Sequence, residues 1–214
     1  MLNPVKIVYL GDSITCGQYV WRELCWTSIV TERLIKSSGA LIHNVNSGIN
    51  GETTRLGLER FSEVQRSCTD ILTIQYGMND CNCWETDCGV PRVSPEAFEA
   101  NIIEMVHRAW NFKINKIILI NNPKTLKFNI LPNHKVYETC NAEYSSIIES
   151  VARKIGTMFC DIRNSLLINR ETIYPDGIHL NENGHKLYAD IIYLTLKLAL
   201  DSVLEERRKN ESLG

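Results

Sequence analysis

Short apolar runs alternate with longer amphipathic segments along most of the chain. The short runs are rich in β-branched and aromatic residues, which favours strands. The run Lys116–Ile120 is almost continuously apolar, as is typical of a sheet that is buried on both faces. The predicted strands are 6–10, 41–45, 70–76, 116–120 and 158–162.

The segments between these runs carry apolar side chains at helical spacing. The clearest helix start is Ser94 followed by Pro95, because serine caps a helix N-terminus and proline fits its first position. The predicted helices are 22–36, 54–65, 95–112, 135–155 and 182–207. Strands that alternate with helices indicate βαβ units, so we expect an α/β fold with a parallel sheet between two helical layers. We expect one domain that spans residues 1–214.

Composition narrows the class of protein without defining its chemistry. The chain has 214 residues, of which 44% are hydrophobic and 22% are charged, with a formal net charge of −2. This apolar fraction excludes a disordered chain, and the near-neutral charge gives no sign of a nucleic-acid partner. No apolar stretch approaches the ~20 residues of a membrane helix, so we expect no membrane insertion. The N-terminal segment lacks the pattern of a secretory signal, which predicts a cytoplasmic protein with reduced thiols.

Polar segments follow three of the predicted strands, and another precedes the last helix. Because ligands bind outside the carboxyl ends of the strands in an open α/β sheet, these segments are the first candidates for a site. They offer a hydroxyl group, a backbone amide, a carboxamide and an Asp/His pair. The segments are Gly11-Asp12-Ser13, Asn46-Ser47-Gly48-Ile49-Asn50-Gly51, Gly77-Met78-Asn79-Asp80 and Asp176-Gly177-Ile178-His179.

These residue types together satisfy the requirements of acyl transfer from an ester. The hydroxyl of Ser13 needs a base to become nucleophilic, and His179 can accept its proton near neutral pH. Asp176 lies three residues before His179 and can orient the imidazole. The oxyanion of the tetrahedral intermediate needs hydrogen-bond donors, which the backbone N–H groups of Ser13 and Gly48 and the side-chain amide of Asn79 could supply.

The four segments resemble the sequence blocks of the SGNH hydrolase family, also called GDSL esterases and lipases, and they occur in the family's order. The resemblance implies a three-layer α/β/α sandwich, similar to flavodoxin, around a mostly parallel five-stranded sheet, and it implies no cofactor or metal. It also implies that Ser13 is the nucleophile, that His179 is the base and that Asp176 is the third member of the triad. The oxyanion hole implied by the family consists of Ser13, Gly48 and Asn79.

The substrate is indicated less directly by the aromatic residues beside these blocks. Trp21, Trp84 and Tyr19 suit stacking on a sugar ring or holding a small acyl group. Asp12 is a candidate substrate contact, although shaping the turn by hydrogen bonds to the backbone is its more natural role. The leading interpretation is an esterase acting on a small acyl ester, such as an acylated sugar. A lysophospholipase, a thioesterase, an acyltransferase and a catalytically silent carbohydrate-binding module are the alternatives.

Eight cysteines and one further histidine complete the candidate residues. Cys81, Cys83 and Cys88 follow Asn79 closely, and a zinc site, a disulfide bond and free thiols all remain open for this cluster. His185 begins the last predicted helix, where we expect it to act as a cap or to face solvent.

Overall fold

The sheet is fully parallel and has five strands in the order β2-β1-β3-β4-β5. A computed structural model describes residues 3–212 of the chain. The strands are β1 Val5–Gly11, β2 Ile42–Gly48, β3 Ile71–Gln75, β4 Lys116–Ile120 and β5 Met158–Cys160. The predicted parallel, five-stranded α/β sheet is therefore confirmed.

Eight α-helices accompany the strands within residues 3–212. They are α1 Ser13–Cys16, α2 Trp26–Ser38, α3 Thr54–Glu59, α4 Ser62–Arg66, α5 Pro95–Asn111, α6 Tyr137–Ile155, α7 Ile162–Ser165 and α8 Glu182–Ser212. Short 3-10 turns lie at Arg22–Leu24 and Glu85–Asp87. Among these helices none is long and apolar enough to cross a bilayer.

The two faces of the sheet are covered by different helices, which makes a three-layer α/β/α sandwich. Side chains alternate along each strand, so that Val8 and Leu72 pack in the cluster that contains α5 and α6. Ile7 and Tyr9 pack in the second cluster, which contains α2 and α8. There the rings of Trp26 and Tyr188 stack with their centroids 4.5 Å apart. This agrees with the architecture expected from the sequence.

Two predicted elements differ from the structure in ways that bear on the site. The helix predicted over 54–65 is two short helices, because the chain turns at Arg60 and Phe61. The turn buries Phe61 in the core and brings Arg60 to a buried carboxylate described below. Strand β2 continues to Gly48, so the Asn46–Gly48 stretch ends the strand instead of following it.

The sheet order places the candidate site at one edge. Beyond β1 the chain passes to β2 on one side and later to β3 on the other, and this reversal creates a crevice at the carboxyl ends of the strands. Gly11 and Gly48 are register partners at the ends of β1 and β2. A Cβ on Gly48 would lie 2.2 Å from the backbone nitrogen of Cys16, so only glycine allows β2 to approach α1 this closely.

Candidate active site

Ser13 is the first residue of α1, directly after β1. The short helix begins there because Asp12 caps it: Asp12 Oδ1 accepts the backbone N–H of Ile14 at 3.0 Å. Gly17 ends the helix in the left-handed conformation, with φ of 79°. The turn holds Ser13 at the mouth of the crevice, with 7% of its surface exposed.

Ser13, His179 and Asp176 form one continuous hydrogen-bonded series. The Ser13 Oγ atom lies 2.9 Å from His179 Nε2, and His179 Nδ1 lies 2.6 Å from Asp176 Oδ2. Burial alone would raise the pKa of Asp176, but hydrogen bonds from the His179 ring and from the N–H groups of Ile178 and His179 lower it. An ionised Asp176 can only accept, so Nδ1 of His179 carries the proton and Nε2 is free to accept the Ser13 hydroxyl.

The loop before α8 brings the Asp/His pair together through local backbone geometry. Asp176 Oδ1 accepts the backbone N–H groups of Ile178 at 2.9 Å and of His179 at 3.0 Å. Gly177 between them adopts a positive φ of 74°, and the N–H of Tyr174 closes the loop by donating to the His179 carbonyl at 2.8 Å. The side chains of Asp176 and His179 therefore lie on one side of a tight turn, as their spacing predicts.

The candidate oxyanion donors are not equally available. One N–H of the Asn79 side chain donates to the backbone carbonyl of Glu52 at 3.0 Å, which orients the amide and leaves its second N–H for a ligand. The backbone N–H of Gly48 donates to Asn46 Oδ1 at 2.9 Å. Asn46 is itself fixed, since its Nδ2 donates to the Thr15 carbonyl at 2.7 Å. A substrate that uses the Gly48 N–H must share it with Asn46.

A buried ion pair supports both oxyanion segments, and the sequence did not reveal it. Arg60 Nε donates to Glu52 Oε1 at 2.6 Å, and the hydroxyl of Tyr76 donates to Glu52 Oε2 at 2.6 Å. Arg60 Nη2 also donates to the carbonyl of Ser47 at 2.6 Å. We call Arg60, Glu52 and Tyr76 the Arg60 clamp. It ties the residue before Gly48 to the residue whose carbonyl orients Asn79.

Removing one partner of the Arg60 clamp is expected to destabilise the fold strongly. The side chains of Arg60 and Glu52 are 14% and 3% exposed, so Arg60→Met leaves a buried carboxylate without its counter-charge. We expect the free energy of unfolding, measured by urea denaturation, to fall by about 3–5 kcal/mol. The control is Arg66→Met, which removes an exposed arginine whose side chain donates a hydrogen bond to Ser62. A loss below about 1 kcal/mol for Arg60→Met would contradict the clamp.

Asp12 is fully buried, which corrects the expectation that it contacts substrate. Its role in the structure is the cap on α1, because its Oδ1 binds the Ile14 N–H. Burial, with a smaller contribution from the charges of Asp80 and Glu52, raises the pKa of Asp12 to about 7. Asp80 is buried as well and joins its loop to the start of α3, since its Oδ1 accepts the N–H of Thr54 at 2.9 Å.

The raised pKa of Asp12 predicts a pH-dependent effect of its neutral isostere. Because the folded state binds this proton more tightly than the unfolded state does, ionisation destabilises the fold as the pH rises from about 4 towards 7. The asparagine side chain of the Asp12→Asn variant keeps a capping oxygen and does not ionise. Thermal unfolding should therefore show a larger gain in Tm for Asp12→Asn over the wild type at about pH 8 than at about pH 5. Equal gains at the two pH values would contradict this assignment.

The two tryptophans that were predicted to contact substrate both lie on the surface, in different surroundings. The side chain of Trp84 is half exposed, and the guanidinium of Arg92 stacks over its ring at 4.7 Å. Both residues line a groove of about 670 Å³ together with Thr53, Arg55 and Asp87, which we call the Trp84 groove. Trp21 is 77% exposed, and its role as a substrate contact stays a prediction.

Tyr19, an aromatic residue of the segment that follows Ser13, lies beside the catalytic candidates. Its ring meets the His179 ring edge-on at a centroid distance of 5.2 Å and the Tyr174 ring at 5.5 Å. The backbone of Tyr19 has a φ of 74°, a conformation that is unusual for a bulky side chain. The Tyr174 hydroxyl holds it there by donating to the Tyr19 carbonyl at 3.2 Å. An aromatic wall therefore flanks the imidazole.

The remaining candidates take structural positions. All eight cysteines are free thiols; Cys81 and Cys83 are buried, whereas Cys88 is exposed. Within residues 3–212 no group of three or more His, Cys, Asp or Glu side chains is arranged to hold a metal ion. His185 is 1% exposed, so the expected solvent-facing position is wrong. Its Nδ1 accepts the N–H of Trp26 at 3.3 Å and so satisfies the first N–H of α2, not one of its own helix.

The crevice at the carboxyl ends of the strands and the Ser–His–Asp series have the arrangement that acyl transfer through a serine requires. The model of the GDSL-like lipase/acylhydrolase family matches residues 9–187, and the chain belongs to this family. The chain is 28% identical over 190 residues to an arylesterase of Vibrio mimicus, an alignment that covers 87% of this chain and 86% of the relative.

Solved structures show the same fold. The lipase/acylhydrolase of Enterococcus faecalis superimposes with a TM-score of 0.74 at 25% identity, over 90% of this chain and 95% of that one. The acetylxylan esterase Axe2 of Geobacillus stearothermophilus superimposes with a TM-score of 0.72 at 21% identity, over 89% of this chain and 93% of that one. The family that the sequence blocks predicted is confirmed.

Proposed function

We propose that the protein is a serine esterase that hydrolyses small acyl esters through an acyl-enzyme intermediate. The observation that supports this most directly is the hydrogen-bonded series from Ser13 Oγ through His179 to Asp176, with distances of 2.9 and 2.6 Å. Nucleophile, base and orienting carboxylate are within hydrogen-bond reach of one another without any rearrangement. A carbohydrate-binding module without catalytic activity does not require this alignment.

The acylation step begins with proton transfer along the hydrogen-bonded series, from Ser13 to His179. Ser13 Oγ attacks the ester carbonyl carbon while its proton moves to Nε2 of His179, and the carbonyl π electrons become the oxyanion. Asp176 stabilises the imidazolium that forms. When the oxyanion collapses, the bond from carbon to the alcohol oxygen breaks, and His179 returns its proton to the departing alcohol. The acyl group remains on Ser13.

Deacylation repeats these steps with water as the nucleophile. His179 accepts a proton from water, whose oxygen attacks the acyl carbon, and the proton then passes to Ser13 Oγ as the carboxylic acid leaves. We assign the oxyanion to the second N–H of Asn79 and the backbone N–H of Ser13. The N–H of Gly48 becomes a third donor when Asn46 shares it with the oxyanion.

We propose acetylated sugars as the leading substrate class. The Trp84 groove offers an aromatic face beside polar side chains, which suits a sugar ring. A structural relative is named as an acetyl-xylooligosaccharide esterase, and a sequence relative is named as an arylesterase; both cleave small esters by those names. A lysophospholipase, thioesterase or acyltransferase would use the same Ser13 chemistry on other acyl donors or acceptors. The cytoplasmic location stays a prediction.

A substrate series tests the acyl group and the alcohol separately. We expect p-nitrophenyl acetate to be hydrolysed with a higher kcat/KM than p-nitrophenyl decanoate, and an acetylated sugar to release acetate. Both rates are measured by continuous assay near neutral pH and compared with those of the Ser13→Ala protein. Preference for decanoate would favour the lysophospholipase or thioesterase alternative. Acyl transfer to an added alcohol in place of hydrolysis would favour the acyltransferase.

A further inference from the structure

The Trp84 groove adjoins the segment that orients the oxyanion donor. Thr53 lines the groove and directly follows Glu52, whose carbonyl accepts the side-chain N–H of Asn79. Arg92 Nη1 donates to the carbonyl of Gly51 at 3.0 Å on the other side of Glu52. A molecule held in the groove therefore contacts the same loop that sets the position of Asn79.

Arg92 is held in place within this groove. Its guanidinium lies over the ring of Trp84 at 4.7 Å, while its Nη1 is fixed by the Gly51 carbonyl. An arginine has five N–H donors, so the remaining donors of Arg92 are free to meet a ligand. A planar guanidinium that is fixed in this way pairs well with a planar carboxylate, since two parallel hydrogen bonds can form.

The groove carries more positive than negative charge. It is lined by two guanidinium groups, from Arg55 and Arg92, and by one carboxylate, from Asp87. None of the three takes part in an ion pair with another residue in the described range. Arg92 also influences the buried carboxylate of Asp80. Burial raises the pKa of Asp80, and the charge of Arg92 lowers it by a smaller amount, but Arg92 and Asp80 form no ion pair. The chain as a whole has a net charge of −2, so this local excess is opposite in sign.

We propose that the Trp84 groove is a subsite for an anionic substituent of the substrate, so that the preferred ester is one of an acidic sugar that carries a carboxylate. The inference rests on the esterase function proposed above and specifies its substrate class. The sugar ring packs against the half-exposed Trp84 side chain where Arg92 does not cover it, and its carboxylate meets Arg92 and Arg55. The groove and the Asn79 amide share the Gly51–Thr53 loop, so the proposal places the acetyl ester on the side of the sugar that faces this loop.

Two substrates that differ only in charge test the subsite. One is the O-acetylated methyl glycoside of glucuronic acid, and the other is the matching glucuronamide, in which the carboxylate is a neutral carboxamide. For the wild type we expect kcat/KM to be about tenfold higher for the carboxylate, mainly through a lower KM, as a charge-assisted hydrogen bond predicts. Arg92→Gln and Arg55→Gln should each lower this ratio, and the double variant should bring it close to one.

The ratio of kcat/KM for the carboxylate to kcat/KM for the carboxamide is insensitive to general losses of activity. This matters because Arg92 also contacts the Gly51–Thr53 loop. The control is Arg66→Gln, an exposed arginine on α4 outside the groove, which should keep the wild-type ratio. A wild-type ratio near one, or a ratio that survives the double variant, overturns the subsite while the esterase function stands.

If neither sugar is hydrolysed, two further measurements separate the subsite from the esterase function. Hydrolysis of p-nitrophenyl acetate tests the esterase function, and failure to cleave it would refute that function. Calorimetric titration of the Ser13→Ala protein with methyl glucuronoside and with its amide then examines the groove without chemistry. Tighter binding of the carboxylate, lost in Arg55→Gln/Arg92→Gln, supports the subsite, and equal affinities overturn it.

Discussion

Replacing Ser13 with alanine is expected to lower kcat for p-nitrophenyl acetate by about 10⁴-fold or more. The hydroxyl is the group that His179 Nε2 contacts at 2.9 Å, and without it the base has no nucleophile to activate. Residual turnover over the uncatalysed rate should remain, because oxyanion donors and binding contribute on their own. Steady-state kinetics over a range of substrate concentrations, with folding checked by circular dichroism, gives the measurement.

Cys16 provides the matched control for this variant. Its thiol lies on the same short helix as Ser13, and burial raises its pKa, so it stays protonated near neutral pH and is a poor nucleophile. Cys16→Ala should therefore keep most of the activity. If Ser13→Ala retained wild-type kcat and Cys16→Ala lost it, the serine mechanism would be refuted in favour of a thiol.

Replacing Asn79 with alanine is expected to lower kcat by about 10²–10³-fold with little change in KM. This is the usual cost of removing one oxyanion donor, because the hydrogen bond forms fully only when negative charge develops. The bond from Asn79 Nδ2 to the Glu52 carbonyl, at 3.0 Å, fixes the amide before substrate arrives. The kinetic readout is the split between kcat and KM for an acetyl ester.

Asn82 offers the control, since it is another asparagine in the same loop and its Oδ1 accepts the N–H of Cys83 at 3.1 Å. Asn82→Ala should leave kcat within a few fold of the wild type. A rise in KM at constant kcat for Asn79→Ala would mean that Asn79 binds the ground state, and the oxyanion assignment would then be wrong.

The sequence predicts the central strands well because they are apolar runs that are buried on both faces of the sheet. Lys116–Ile120 is such a run, and β4 has these bounds. The break between α3 and α4 is missed because the apolar spacing continues across Arg60 and Phe61 as if in one helix. What turns the chain there is tertiary: Phe61 enters the core, and Arg60 reaches back to a partner earlier in the chain, Glu52.

The proximity of Ser13 and His179 is predicted better than the residues that support them. Ser13 and His179 occur in short segments whose residue types have few other uses together, and the structure brings them within hydrogen-bond distance. Glu52 and Arg60, by contrast, look like ordinary surface charges in the sequence, and only their burial reveals the clamp. The contact of Tyr19 with His179 is missed for another reason, because a positive φ at a tyrosine leaves no signal in the sequence.

His185 shows how a local rule can mislead. A polar residue near the start of a helix is typical of a cap or of a solvent-facing position, yet α8 buries this one against α2. Burial lowers the pKa of His185 to about 4, with a smaller contribution from His179, so the ring is neutral at physiological pH. A neutral Nδ1 can accept the Trp26 N–H, which explains why the ring is tolerated there.

The buried residues behind the candidate site and the exposed residues of the Trp84 groove tolerate substitution differently. Gly48 cannot be replaced without displacing the Cys16 backbone, and the Arg60 clamp needs all three of its residues. Substitutions at these positions are therefore expected to destabilise the fold. Trp84 and Val90, which line the Trp84 groove, are 50% and 60% exposed, so replacing either leaves no cavity in the core. We therefore expect substitutions in the loop around Trp84 to alter which ester is preferred while the fold and the contact between Ser13 and His179 are kept.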